Sequence, residues 1–116
     1  MSRSDRRRLG DILAAIAAIG RAEAVTHRYS DDDVLAEVVL AAIQFHVFTI
    51  GEAVKALPAE LREQRPDVPW SDIARMRDLI GHHYYRLDAQ IVRATIGEPL
   101  DHLRRACESL AGEGRR

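Results

Sequence analysis

An all-α fold, an antiparallel bundle of four to five helices, is what this sequence predicts, on three observations. Apolar residues make up 47% of the chain, mostly Ala, Leu, Ile and Val, while aromatics supply only 5%, a balance that suits helices better than a sheet. Apolar positions recur at three- and four-residue spacing over long stretches, and clusters of turn residues are few. At 116 residues the chain is long enough to bury one core without disulfide or metal staples, and residues 1–116 read as one domain.

The first helix is predicted over residues 5–27, with Leu9, Ile12, Leu13, Ile16, Ile19 and Val25 along one side. Asp11 interrupts the apolar run, so the stretch reads as an amphipathic helix rather than a secretory signal, despite Arg6, Arg7 and Arg8 ahead of it. Those arginines are poorly placed for the helix dipole. They read as a solvated, frayed terminus, or alternatively as a phosphate-attracting arm. Tyr29-Ser30-Asp31-Asp32-Asp33 then makes a break and a helix start, because acidic side chains accept from free amides and favour the positive helix end.

The second helix is expected to reach about residue 57. Val34, Leu35, Val38, Val39, Leu40, Ile43, Phe45, Val47, Phe48 and Ile50 cover more than one of its faces. A helix so apolar around its circumference must bury two sides. One side faces the core, and the other is expected to pack on a second copy of the chain, giving a homodimer. No stretch reads as long and apolar enough to span a membrane. His46 reads as a core or interface histidine. Glu52, beside Gly51, is either an exposed charge or a carboxylate that fixes an arginine.

Pro58 ends this helix or opens a short one through residue 65, and residues 66–71 form a rigid connector with Trp70 as its core anchor. In the next helix Ile73, Met76, Leu79 and Ile80 are expected inward, with Arg75 and Arg77 toward other faces. Gly81 reads as its C-terminal stop, which would let the chain fold His82 back toward Arg77. Asp88 is the expected N-cap of a helix carrying Ile91, Val92 and Ile96. Gly97-Glu98-Pro99 breaks or kinks it, and Leu100, Leu103, Cys107 and Leu110 continue the stripe. Cys107 is the only cysteine, which leaves no intrachain disulfide or Cys-based zinc site and fits a reducing, cytoplasmic setting.

Formal charge is −1, with sixteen Arg and the single lysine Lys55 making up the 17 basic residues. Nucleic-acid affinity would therefore have to come from a local patch or from two patches pooled in a dimer. The stretch from Arg77 to Tyr84 holds an arginine, two histidines and a tyrosine. A guanidinium suits phosphate, and an imidazole moves protons near neutral pH. Composition alone gives roughly 0.7 Arg-x4-His pairs by chance, but only about 0.02 with Tyr two residues later. The bland reading is a helix end where the arginine caps carbonyls and the tyrosine packs. No His-x3-His pair, glycine-rich phosphate loop or nucleophile setting occurs elsewhere, and no metal or other cofactor is expected.

Ile50-Gly51-Glu52-Ala53, Pro66-Asp67-Val68-Pro69-Trp70, Met76-Arg77-Asp78, His82-His83-Tyr84 and Leu87-Asp88 fall in an order and spacing that resembles the HepT-like branch of the HEPN superfamily. The resemblance covers nearly the whole chain, and its signature, Arg-x4-His-x-Tyr, is matched by Arg77, His82 and Tyr84. It implies a homodimeric, metal-independent RNase, the toxin of a toxin–antitoxin pair. It also implies a minimal nucleotidyltransferase antitoxin as partner, able to AMPylate Tyr84. Two departures stand out. Asp78 follows the arginine where this branch usually has Asn, and after Tyr84 and the aromatic Tyr85 stands Arg86 where a glycine is common. A carboxylate at position 78 repels a phosphate and puts catalytic strength in question.

The chemistry expected of these residues is attack by the RNA 2′-hydroxyl on its own phosphate, made fast by proximity. His82 transfers the proton, Arg77 stabilises charge on the phosphate oxygens, and Asp78 and Tyr84 support or orient. The other function class kept open is a non-catalytic helical dimer that binds the nucleotidyltransferase or RNA without cutting, for which Arg75, Arg77, Arg86 and Arg93 would serve equally.

Overall fold

Side-chain caps fix where the two longest helices begin. The structure is a computed structural model and describes residues 1–83 and 89–113. Ser2 caps α1 (Arg3–Arg28): its hydroxyl accepts from the Asp5 amide at 3.0 Å, and the Asp5 carboxylate accepts from the Ser2 amide at 3.3 Å. This reciprocal box satisfies two end donors, so the arginine-rich start of α1 is folded rather than frayed. Asp32 caps α2 (Asp33–Ala56) by accepting from the Leu35 amide at 2.9 Å. The four-residue link between these long helices makes them antiparallel neighbours. Two short helices, α3 (Ala59–Glu63) and α5 (Ala89–Thr95), accompany the longer α4 (Trp70–His83) and α6 (Glu98–Glu113). The described residues contain no strand, as an all-α bundle requires.

One core joins the long helices. Leu9, Ile12 and Ile19 of α1 meet Val39, Ile43, Val47, Ile50 and Val54 of α2, with Ile80 of α4 and Leu100, Leu103, Cys107 and Leu110 of α6. Cys107 is fully buried, and burial pushes its thiol up to about 12, which keeps it unreactive. Val25 departs from expectation: the last turns of α1 leave it exposed. Gly97, at a φ of 89°, separates α5 from α6. The break foreseen around Gly97 and Pro99 is therefore a true helix boundary, made by a backbone conformation that glycine accepts readily. The expected N-cap Asp88 and the Ile91 side chain lie outside the described residues.

On α2 the buried residues 39, 43, 47, 50 and 54 occupy one face. On the opposite side Val34 is 71%, Val38 59% and Phe45 64% exposed. Both apolar faces read from the sequence are present. One expectation needs correcting: by length and composition α2 is apolar enough to cross a membrane, with a mean hydropathy of 1.8 over an 18-residue stretch, of which 28% is buried inside the protein. The value arises because one helix carries a core face and a second apolar stripe.

The connector before α4 is held at two points. The Trp70 indole donates to the carbonyls of Arg62 at 3.0 Å and Arg65 at 2.9 Å. Asp67 accepts two bonds from the Arg65 guanidinium, both 2.9 Å, and lies 2.6 Å from the His102 ring of α6. α4 then lies on α2 at Gly51. A Cβ built there would collide with the Arg77 side chain and stand 3.2 Å from its Cα. Gly51 thus permits an approach that any other residue would block.

The connector and the seam each lend themselves to a stability measurement. Arg65 first, then His102, hold the Asp67 carboxyl well below its usual 3.8. A depressed folded value stabilises above the unfolded value and is lost as pH falls below about 4. Urea unfolding across pH 2–6 should therefore show an acid-side loss of stability that is smaller in Asp67→Asn; identical pH slopes would remove Asp67 from this role. Gly51→Ala should destabilise by about 1–3 kcal/mol through overpacking. Gly20→Ala, at an exposed position with open space around it, should be neutral or stabilising by up to about 1 kcal/mol. Equal losses in the two variants would show that the close approach of α2 and α4 is not the cause.

Candidate active site

Trp70, Ile73, Arg77 and Ile80 recur at i, i+3, i+7 and i+10, which places them along one side of α4. Arg77 therefore occupies the middle of an inward stripe rather than an outer face, as the sequence reading had it. Leu79, expected inward, is exposed instead. The stem of Arg77 lies against Gly51, and its guanidinium stands over the Phe48 ring, 4.7 Å from the centroid.

Carboxylates hold that guanidinium at two points. Its Nε and a terminal nitrogen pair with Glu52 Oε1 across the α2–α4 seam, and Nη1 donates to Asp78 Oδ1 at 3.1 Å. The same Asp78 oxygen accepts from Lys55 Nζ at 3.0 Å. Lys55, Asp78, Arg77 and Glu52 thus form a chain of alternating charge bridging two helices. The hydrogen bond it donates to Glu52 and then that to Asp78 raise the already high Arg77 value. Lys55 first, then Arg77, lower that of Asp78. With two basic and two acidic side chains, the quartet sums to zero formal charge. Glu52 is therefore the carboxylate that fixes an arginine, the sharper of the two readings of that residue. Arg77 keeps 26% of its side chain exposed.

Gly81 does not stop the helix: α4 continues through His83. A Cβ at position 81 would come within 3.2 Å of the Phe48 ring, so this glycine makes room for packing instead. On a continuous helix, five residues separate Arg77 from exposed His82 by roughly 140° of rotation and about 7.5 Å of rise. The expected fold-back of His82 toward Arg77 is thus absent, and within one chain the two lie on different sides of α4. Tyr84, Tyr85 and Arg86 lie outside the described residues. Arg75 and Arg93 are exposed, and His46 is half-buried with an edge-on contact to Phe45 at 5.4 Å.

Sequence reasoning missed Phe48, Lys55 and the packing role of Gly51. The available signals were the i, i+3 spacing of Glu52 and Lys55 and the inward register of Arg77. Among the described residues no three His, Cys, Asp or Glu side chains are grouped to hold a metal ion.

Comparisons with known proteins bear on this arrangement. The family model described as Ribonuclease HepT-like matches residues 15–110. The "Probable ribonuclease HepT" of Thermococcus cleftensis is 32% identical over 115 residues, covering 95% of this chain and 98% of its own. A "Putative RNase" of Caldanaerobacter subterraneus subsp. tengcongensis is 41% identical over 61 residues, 53% of this chain and 54% of its own. Another of that description, from Methanocaldococcus jannaschii, is 46% identical over 43 residues, 37% of this chain and 36% of its own. No solved structure matches. With a family match across most of its length and a relative aligned nearly end to end, the chain belongs to the Ribonuclease HepT-like family.

Proposed function

We propose that this protein is a metal-independent endoribonuclease and the cytoplasmic toxin of a toxin–antitoxin pair. The observation that carries the reading is the clamped arginine, a guanidinium held by Glu52 and Phe48 yet open on one side. Preorganised positive charge of this kind stabilises the extra charge on a phosphate under attack without reorganising at the moment of reaction. His82 supplies proton transfer, and the RNA 2′-hydroxyl is the nucleophile. The products are a 2′,3′-cyclic phosphate and a 5′-hydroxyl, and DNA is spared.

The offset between Arg77 and His82 is resolved by a second copy. Val34, Val38 and Phe45 are exposed, and at helical spacing their stripe runs on to Glu52. A homodimer closed on that stripe brings two Arg77–His82 motifs around one cleft. The reading that competes is a non-catalytic dimer that binds RNA or a nucleotidyltransferase. It is favoured by Asp78, which adds a second carboxylate beside Arg77.

Cleavage of a synthetic RNA in chelator separates the two. Arg77→Ala and His82→Ala should each lower the rate by about 10²- to 10⁴-fold with the fold intact by circular dichroism. Phe45→Glu should sediment as a monomer and lose cleavage with it. Wild-type rates in His82→Ala would remove that residue from the mechanism, and a dimeric Phe45→Glu would remove the stripe from the interface.

The same reading gives the control step. A nucleotidyltransferase partner transfers AMP from ATP to the Tyr84 hydroxyl, releasing pyrophosphate. The attached phosphate pairs with Arg77 in place of RNA. Incubation with the partner and ATP, then intact mass and peptide mapping, should place the adenylyl group on Tyr84 and find none on Tyr84→Phe. Modification mapped to Tyr85 would overturn this assignment.

A further inference from the structure

A cleft of about 450 Å³ lies between the start of α1 and the end of α2, lined among others by Ser4, Arg7, Arg8, Asp11, Thr49 and Glu52. We propose that it is a backbone subsite for single-stranded RNA, in which Arg7 and Arg8 hold a phosphate beside the one held at Arg77. The inference rests on RNA being the substrate, and it adds residues that the Arg-x4-His-x-Tyr signature does not include.

Three observations support it. First, the arginines stand on a rigid frame, because the capping box of Ser2 and Asp5 folds α1 from Arg3 onward. Since Ser2 already engages a free amide of this helix end, an anion in the cleft is met by side chains. Second, these cations are available. Arg65, Arg77, Arg104 and Arg105 all face carboxylates. Among the described residues neither Arg7 nor Arg8 forms an ion pair, and the Arg8 guanidinium only reaches the Ser4 carbonyl at 3.4 Å. Third, the cleft adjoins the candidate active site through one shared side chain. Glu52 lines it and also binds Arg77, so the charge of Glu52 is already met by Arg77. Among the residues lining the cleft, that leaves Arg7 and Arg8 against Asp11. In a chain of net charge −1, this concentrates positive potential where a strand would leave Arg77.

The test measures binding of a fluorescent 2′-O-methyl RNA 12-mer, which keeps the phosphates and lacks the attacking hydroxyl, by anisotropy from 50 to 300 mM salt. Arg7→Ala/Arg8→Ala should bind about 5- to 20-fold more weakly. The slope of log affinity against log salt should become shallower by roughly 0.7 for each phosphate that is no longer neutralised. A charge-matched control, Arg21→Ala/Arg28→Ala, changes exposed arginines farther along α1 and should bind like wild type. The proposal is overturned if the Arg7/Arg8 variant matches wild type or the control in affinity and slope, or if wild type binds no RNA. Should wild type bind through Arg7 and Arg8 yet cut no RNA in chelator, the subsite stands and the nuclease reading fails.

Discussion

The seam between α2 and α4 depends on a glycine facing an arginine. Gly51 removes the side chain that would collide with Arg77, and Arg77 fills the space with its aliphatic stem, as long basic side chains do when their charged head has another outlet. The outlet here is Glu52, one residue from Gly51, together with the face of Phe48. A guanidinium on the inward side of a helix is tolerated only when its donors are satisfied. Packing and charge are therefore one constraint: the approach that Gly51 allows is what brings Glu52 within reach.

α2 carries two apolar faces with different work. Val39, Ile43, Val47, Ile50 and Val54 close the core, while Val34, Val38 and Phe45 remain in solvent. The exposed stripe ends beside the arginine clamp. At 100° per residue, positions 34, 38, 45 and 52 lie within about 40° of one another, so the exposed stripe points at Glu52. Under the proposed reading this geometry has a reason, since a second copy seated on the stripe is guided to the arginine clamp.

Much of this was legible in the sequence. The helix at Asp33, the Trp70 anchor, the boundary at Gly97, the buried Cys107 and the double-faced second helix all follow from periodicity and caps. What failed did so for identifiable reasons. Gly81 reads as a stop because glycine commonly follows helix ends, but glycine also appears inside helices where a neighbour presses close, here Phe48. An inward side drawn through Ile73, Met76, Leu79 and Ile80 leaves Arg77 toward another face, and it includes Leu79, which is exposed. Counting Trp70 into the stripe would have put Arg77 in register with Ile73 and Ile80. The Lys55–Asp78 pair spans 23 residues, and no local spacing reveals a contact between two helices so far apart in sequence.

That pair changes how Asp78 should be understood. Seen in sequence alone, a carboxylate next to the motif arginine weakens the attraction for a phosphate. In the structure Asp78 shares one oxygen between Arg77 and Lys55, the chain's single lysine. Glu52 and Asp78 neutralise Arg77 and Lys55 in sum, but not symmetrically. Glu52 sits at the seam and takes the guanidinium's Nε edge, leaving Asp78 with one terminal nitrogen. Under the proposed reading, an arriving phosphate competes with Asp78 for that nitrogen, whereas Glu52 keeps its edge and holds the orientation. Lys55 makes the exchange less costly, because the displaced carboxylate retains a cation. On that reading the two acids differ in role, one fixing the arginine's direction and the other setting how much of its charge is offered to an incoming anion.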